Sequence, residues 1–182
     1  MGSRLKVYTV FVLLLLLTVF PHFTNGITQL SFKSVHSRYN AHYFTNFTIQ
    51  IVNDTIYNDF ELIERLDPGV RCRLEFQLRI ANSNIYQSLF DFDIDVCSTI
   101  IALKDHFLKS WYRSLLKFGN FMENCPFHAD HYYLNGWLLE PALFPKYLYP
   151  GDYKMIAFIY NGQYKKKNMD FVMEVQLETV VS

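Results

Sequence analysis

The chain has 182 residues, with 17 basic and 17 acidic side chains, and 18% of its residues are aromatic. Balanced charge without a basic stripe argues against a nucleic-acid partner. An aromatic load of this size needs a large core or an apolar cavity, and the length fits one domain able to build it.

Residues 1–26 read as a secretory signal peptide. Arg4 and Lys6 precede an apolar run from Val7 to Phe20, and Thr24-Asn25-Gly26 sets small residues at the cleavage point. The apolar run is short for a membrane span, and an uncleaved anchor is the alternative reading. The expected domain is then 27–182. Losing Arg4 and Lys6 leaves 15 basic residues against 17 acidic ones, a net of roughly −2.

Two glycosylation sequons follow, Asn46-Phe47-Thr48 and Asn53-Asp54-Thr55. Phe47, Ile49 and Ile51 alternate with Asn46, Thr48 and Gln50, so Asn46 belongs to the polar face of a strand. Asn53 falls at a turn. An extended stretch, Ile56–Leu66, ends at the turn tripeptide Asp67-Pro68-Gly69.

The clearest strand is Val70–Ile80. Val70, Cys72, Leu74, Phe76, Leu78 and Ile80 alternate with Arg71, Arg73, Glu75, Gln77 and Arg79. Phe90, Phe92, Ile94 and Val96 repeat the pattern against Asp91, Asp93 and Asp95. A short turn-rich link makes the two an antiparallel hairpin, with even residues opposite even ones. Arginines then face aspartates on the wet side and fix the register, since a one-residue slip would bury the charges.

After Cys97 the period changes to three and four. Ile100, Leu103, Phe107, Leu108, Trp111, Leu115 and Phe118 mark an amphipathic helix over about Thr99–Phe118, ended by Gly119-Asn120. Its cationic side reads as a solvated face. Cys125-Pro126 breaks the chain, and Tyr132-Tyr133-Leu134 is strand-like. The proline-rich Pro141–Pro150 reads as a loop or sheet edge. Tyr153–Tyr160 and the alternating Phe171–Leu177 are strands joined through Asn161-Gly162. Seven strands, one helix and no crossover helices predict an all-β, antiparallel β-sandwich or cup with one helical insertion.

The chain outside the leader holds three cysteines. A Cys72–Cys97 bridge would join side chains from opposite faces, so Cys97–Cys125 is the expected disulfide and Cys72 a buried thiol. An intermolecular bridge through Cys72 is the alternative.

Little points to catalysis. Asp91, Asp93 and Asp95 begin like a calcium loop, but Val96 and Ala102 stand where that loop needs Gly and Glu. His128 and His131 would need a third ligand to hold zinc. Neither a nucleophile elbow nor a phosphate-cradling glycine loop is present. The expectation is a non-enzyme without metal or cofactor.

Tyr86, Asp95-Val96-Cys97, the helix, Gly119-Asn120, Cys125-Pro126, Tyr132-Tyr133 and Pro150-Gly151-Asp152-Tyr153 occur in an order that resembles a large insect family. Its members are small secreted proteins of the CheA/CheB chemosensory type, similar to the ML lipid-recognition superfamily. The resemblance covers Tyr86–Tyr153 and implies an immunoglobulin-like β-cup with a greasy pocket and no catalytic residues. Relatives carry further cysteines near the mature N-terminus, which this chain lacks.

Together these readings predict a secreted, monomeric carrier of a hydrophobic small molecule or lipid, its cavity lined by Leu74, Phe76, Phe90, Phe92 and Phe158. The alternative is an extracellular interaction module that meets a receptor through the aromatics of Pro141–Tyr149. Lys165-Lys166-Lys167 is expected in an exposed hairpin loop, either a plain turn or a contact with anionic lipid.

Overall fold

The structure is a computed structural model that describes residues 29–81, 83–104, 109–121, 123–138 and 149–182. The expected leader and most of Pro141–Pro150 lie outside the described residues. Among the described residues eight strands are present: β1 (Leu30–Tyr39), β2 (Phe44–Val52), β3 (Thr55–Leu62), β4 (Arg71–Arg79), β5 (Tyr86–Asp95), β6 (Asp130–Trp137), β7 (Gly151–Asn161) and β8 (Asp170–Val181). Two helices accompany them, α1 (Val96–Leu103) and α2 (Lys109–Leu116).

The strands form two antiparallel sheets, a five-stranded one in the order β1-β8-β7-β4-β5 and a three-stranded one in the order β2-β3-β6. The fold is the expected all-β sandwich. The β4–β5 hairpin pairs even with even: Cys72 with Ile94, Leu74 with Phe92, Phe76 with Phe90. Its ion pairs run diagonally rather than straight across. Arg71 Nε lies 2.8 Å from Asp93 Oδ1, and Arg73 Nε 2.9 Å from Asp91 Oδ1.

Two apolar clusters fill the space between the sheets. In the first, Phe60 stacks on Phe47 and on Tyr132, and Phe44 meets Phe47 and Phe60 edge-on, with ring centroids 5.3–5.6 Å apart. In the second, Leu30, Phe32, Leu177 and Val181 of the large sheet meet Ile56, Leu134 and Trp137 of the small one. Helix residues enter both: Ile100, Leu103 and Tyr112 the first, Leu115 the second. The helical segment is therefore part of the core. Cys97 and Cys125 form a disulfide across 28 residues, Cα to Cα 5.3 Å, and Cys72 is a buried free thiol.

Two sequence expectations need correction. The predicted single helix over Thr99–Phe118 is described as two, α1 and α2, which end at Leu116, with Phe107 and Leu108 outside the described residues; helix begins at Val96 because Asp95 caps it, its carboxylate accepting from the Ser98 backbone N–H at 2.7 Å. Strand β1 is additional to the predicted seven. A bulge between Phe32 and Ser34 switches its inward parity from Leu30 and Phe32 to Val35 and Ser37, which destroys simple alternation.

Candidate functional site

The small sheet packs against β1, β8 and β7 of the large one, and no residue of β4 or β5 belongs to either buried core cluster. Leu74 and Phe76 of β4 are half-buried. Their partners on the edge strand, Phe92 and Phe90, are 49% and 51% exposed. The two rings lie nearly parallel, 6.1 Å apart. None of these four residues belongs to either core cluster. Along β4 the inward row emerges steadily, from buried Cys72 through half-buried Leu78 to exposed Ile80. A contiguous apolar surface of this kind marks a contact site rather than ordinary scatter.

Phe158 is not part of this row. It pairs with Arg73, while its neighbour Ala157 pairs with Leu74, so odd residues of β7 face inward and Phe158 points to the opposite face. There it packs on Phe171 and Tyr164, with ring centroids 5.4 and 5.7 Å away. Arg38 caps the group, 4.9 Å above Phe171 and 2.6 Å from the buried Glu174 carboxylate. Arg73 lies 4.3 Å above Tyr164. Tyr164 thus pins the β7–β8 loop to the outer face, and Lys165, Lys166 and Lys167 beyond it are exposed. That loop sits at the Arg71 end of β4, opposite the Leu78 end where the apolar row emerges.

One polar side chain sits between the sheets. Asn58 shares the inward parity of Ile56 and Phe60, is 7% exposed, and its Oδ1 has no hydrogen-bond partner among the described residues. An orphaned buried acceptor costs about 1–3 kcal/mol. A bound donor, from water or from a ligand hydroxyl, would relieve that cost. Sequence reading missed it because only the β2–β3 pairing reveals which way Asn58 faces.

Most of the remaining chemical candidates have structural partners. Asp91 and Asp93 pair with arginines, and Asp95 caps a helix. The Ser98 backbone N–H holds the Asp95 carboxyl below its ordinary range. His131 Nε2 lies 2.9 Å from Asp59 Oδ2, and the backbone carbonyl of His128, not its imidazole, accepts from the Tyr132 hydroxyl at 3.0 Å. Burial pushes the Cys72 thiol up to about 11, which leaves it a poor nucleophile. Asn46 is exposed on β2, and Asn53 opens the β2–β3 turn with a positive φ of 50°. A concavity of about 290 Å³ lies on the outer face of the small sheet around Thr48, Tyr57 and Tyr133.

The fold and site define a disulfide-bonded, β-rich protein with an apolar flank. The family described as "Protein of unknown function (DUF1091)" matches residues 73–155, from within β4 to within β7, a span that holds the disulfide and both helices. No curated protein matches the chain. Among the described residues no helix is long and apolar enough to cross a membrane.

Proposed function

We propose that this protein is a secreted, non-catalytic carrier of a hydrophobic small molecule, held against the inner face of β4 and β5. The half-exposed pair Phe90 and Phe92, beside their cross-strand partners Phe76 and Leu74 and outside both core clusters, carries this reading. The leader-like residues 1–26, the two sequons, the disulfide and the resemblance to the ML-like insect family support it.

The driving force is desolvation. Each ring exposes on the order of 100 Å², so covering both removes roughly 200 Å² of apolar surface, worth about 5 kcal/mol. Each ligand CH₂ adds about 0.8 kcal/mol, and association costs take back several. A ligand of about ten carbons then reaches micromolar affinity, near −8 kcal/mol.

Titration with a fluorescent fatty acid or sterol tests the proposal. Phe90→Ser/Phe92→Ser is expected to weaken binding at least tenfold, while the half-exposed positions cost only about 1 kcal/mol of stability each. Unchanged affinity in a folded double variant refutes the assignment. If the wild type takes up neither probe, the alternative interaction module gains ground; among its proposed contact residues Tyr149 is 71% exposed.

A further inference from the structure

We propose that the outer face of the β2-β3-β6 sheet is a carbohydrate cradle, and that its occupant is the N-linked glycan of Asn46. The register lays the outward side chains out as a grid. Asn46, Glu61 and His131 form one row across the three strands, Thr48, Asp59 and Tyr133 the next, and Gln50, Tyr57 and Asn135 the third. Strands lie about 4.8 Å apart and rows about 7 Å apart, so Asn46 occupies one corner of a small polar plate. The hollow of about 290 Å³ covers the second and third rows and reaches His131. It begins one row from the glycan's anchor, within reach of the first sugars.

The lining suits a sugar. Tyr133 is 42% exposed and offers an open ring to the C–H face of a pyranose. Its orientation is supported by His131, whose ring stacks on it at 6.0 Å and whose Nε2 is held by Asp59 at 2.9 Å. Tyr57 stands on the same face beside Gly136, where a Cβ would come within 3.1 Å of the Tyr57 hydroxyl, so glycine leaves room for that ring. Gln50, Asn135 and Asp59 supply the amide and carboxylate groups that hydroxyls require. Tethering removes the need for tight binding. A short linker presents its ligand at millimolar effective concentration, so a sugar site with a dissociation constant of about 0.3 mM is largely filled.

This proposal rests on the secretory reading, because an N-glycan is added only in that pathway. The test expresses the full chain with its own leader in a secretory host and follows enzymatic release of each glycan from the native protein, with Asn53 as internal control. Tyr133→Ser and, independently, Gln50→Ala are expected to speed release at Asn46 by roughly threefold or more, as a tethered ligand losing most of its occupancy requires. Release at Asn53, and release after denaturation, are expected to stay the same. Unchanged release at Asn46 in both variants, equal acceleration at Asn53, or a secreted chain with Asn46 unmodified overturns the cradle. A chain retained in the cell with neither sequon modified refutes the secretory reading and the cradle with it.

Discussion

Replacing both bridged cysteines, Cys97→Ser/Cys125→Ser, isolates the contribution of the covalent tie. The bridge closes 28 residues of chain, and that segment carries α1 and α2 into the core. Cross-linking a loop of this length removes enough denatured-state entropy to stabilise the fold by about 3–4 kcal/mol. Cys97 is 8% exposed, so its replacement also buries a hydroxyl and adds up to about 1 kcal/mol. A domain of this size loses about 2–4 °C of melting temperature per kcal/mol, so the variant should melt roughly 6–20 °C lower. Circular dichroism against temperature, with urea unfolding alongside, reads the effect. A loss below about 1 kcal/mol would refute the reasoning. It would mean that Ile100, Leu103, Tyr112 and Leu115 hold the segment without the bond. Peptide mapping without reduction gives a separate check, since a linked Cys72 peptide contradicts the pairing.

Cys72, with its thiol pushed up to about 11, is expected to be almost wholly protonated at pH 8 and to alkylate on the order of a hundredfold slower in native than in denatured protein; comparable rates contradict its burial. Asp152 is held below its ordinary value of 3.8 chiefly by its hydrogen bond from Lys33, with Arg79 assisting, and Glu178 below 4.5 chiefly by Lys154. Carboxylates with depressed folded values stabilise above the unfolded values, and that stability is lost as pH falls through the folded ones. The urea midpoint is therefore expected to hold from pH 7 to about 5 and to fall below about 4, with a shallower fall in Asp152→Asn; an identical acid limb contradicts the pairing. Gly119→Ala sets a Cβ 1.9 Å from the Tyr133 carbonyl oxygen at the Gly119–Leu134 bridge, and should cost about 1–3 kcal/mol in denaturant unfolding. A neutral result there contradicts that close approach.

The strand faces were legible wherever one uninterrupted period ran long enough. Val70–Ile80 and Phe90–Val96 announce both their faces and their mutual register, and the structure pairs Leu74 with Phe92 and Phe76 with Phe90. The diagonal arginine–aspartate contacts were legible as charges but not as geometry, because strand twist decides which carboxylate each guanidinium reaches. Phe158 shows the limit. Tyr153–Tyr160 is apolar on both faces, so periodicity is silent about direction, and only its pairing with Arg73 sets Phe158 among Arg38, Phe171 and Tyr164. Strand β1 hid behind its bulge. The grid around Tyr57 and Tyr133 depends on β3 meeting β6 from some seventy residues away, a contact with no local signature.

Native mass spectrometry of the protein secreted with its own leader, followed by organic extraction, tests the central claim most directly. The account predicts a bound hydrophobic species of small-molecule mass on the purified protein, absent from Phe90→Ser/Phe92→Ser. A secreted, folded wild type that carries no such mass and takes up none from added fatty acid, sterol or hydrocarbon would contradict it.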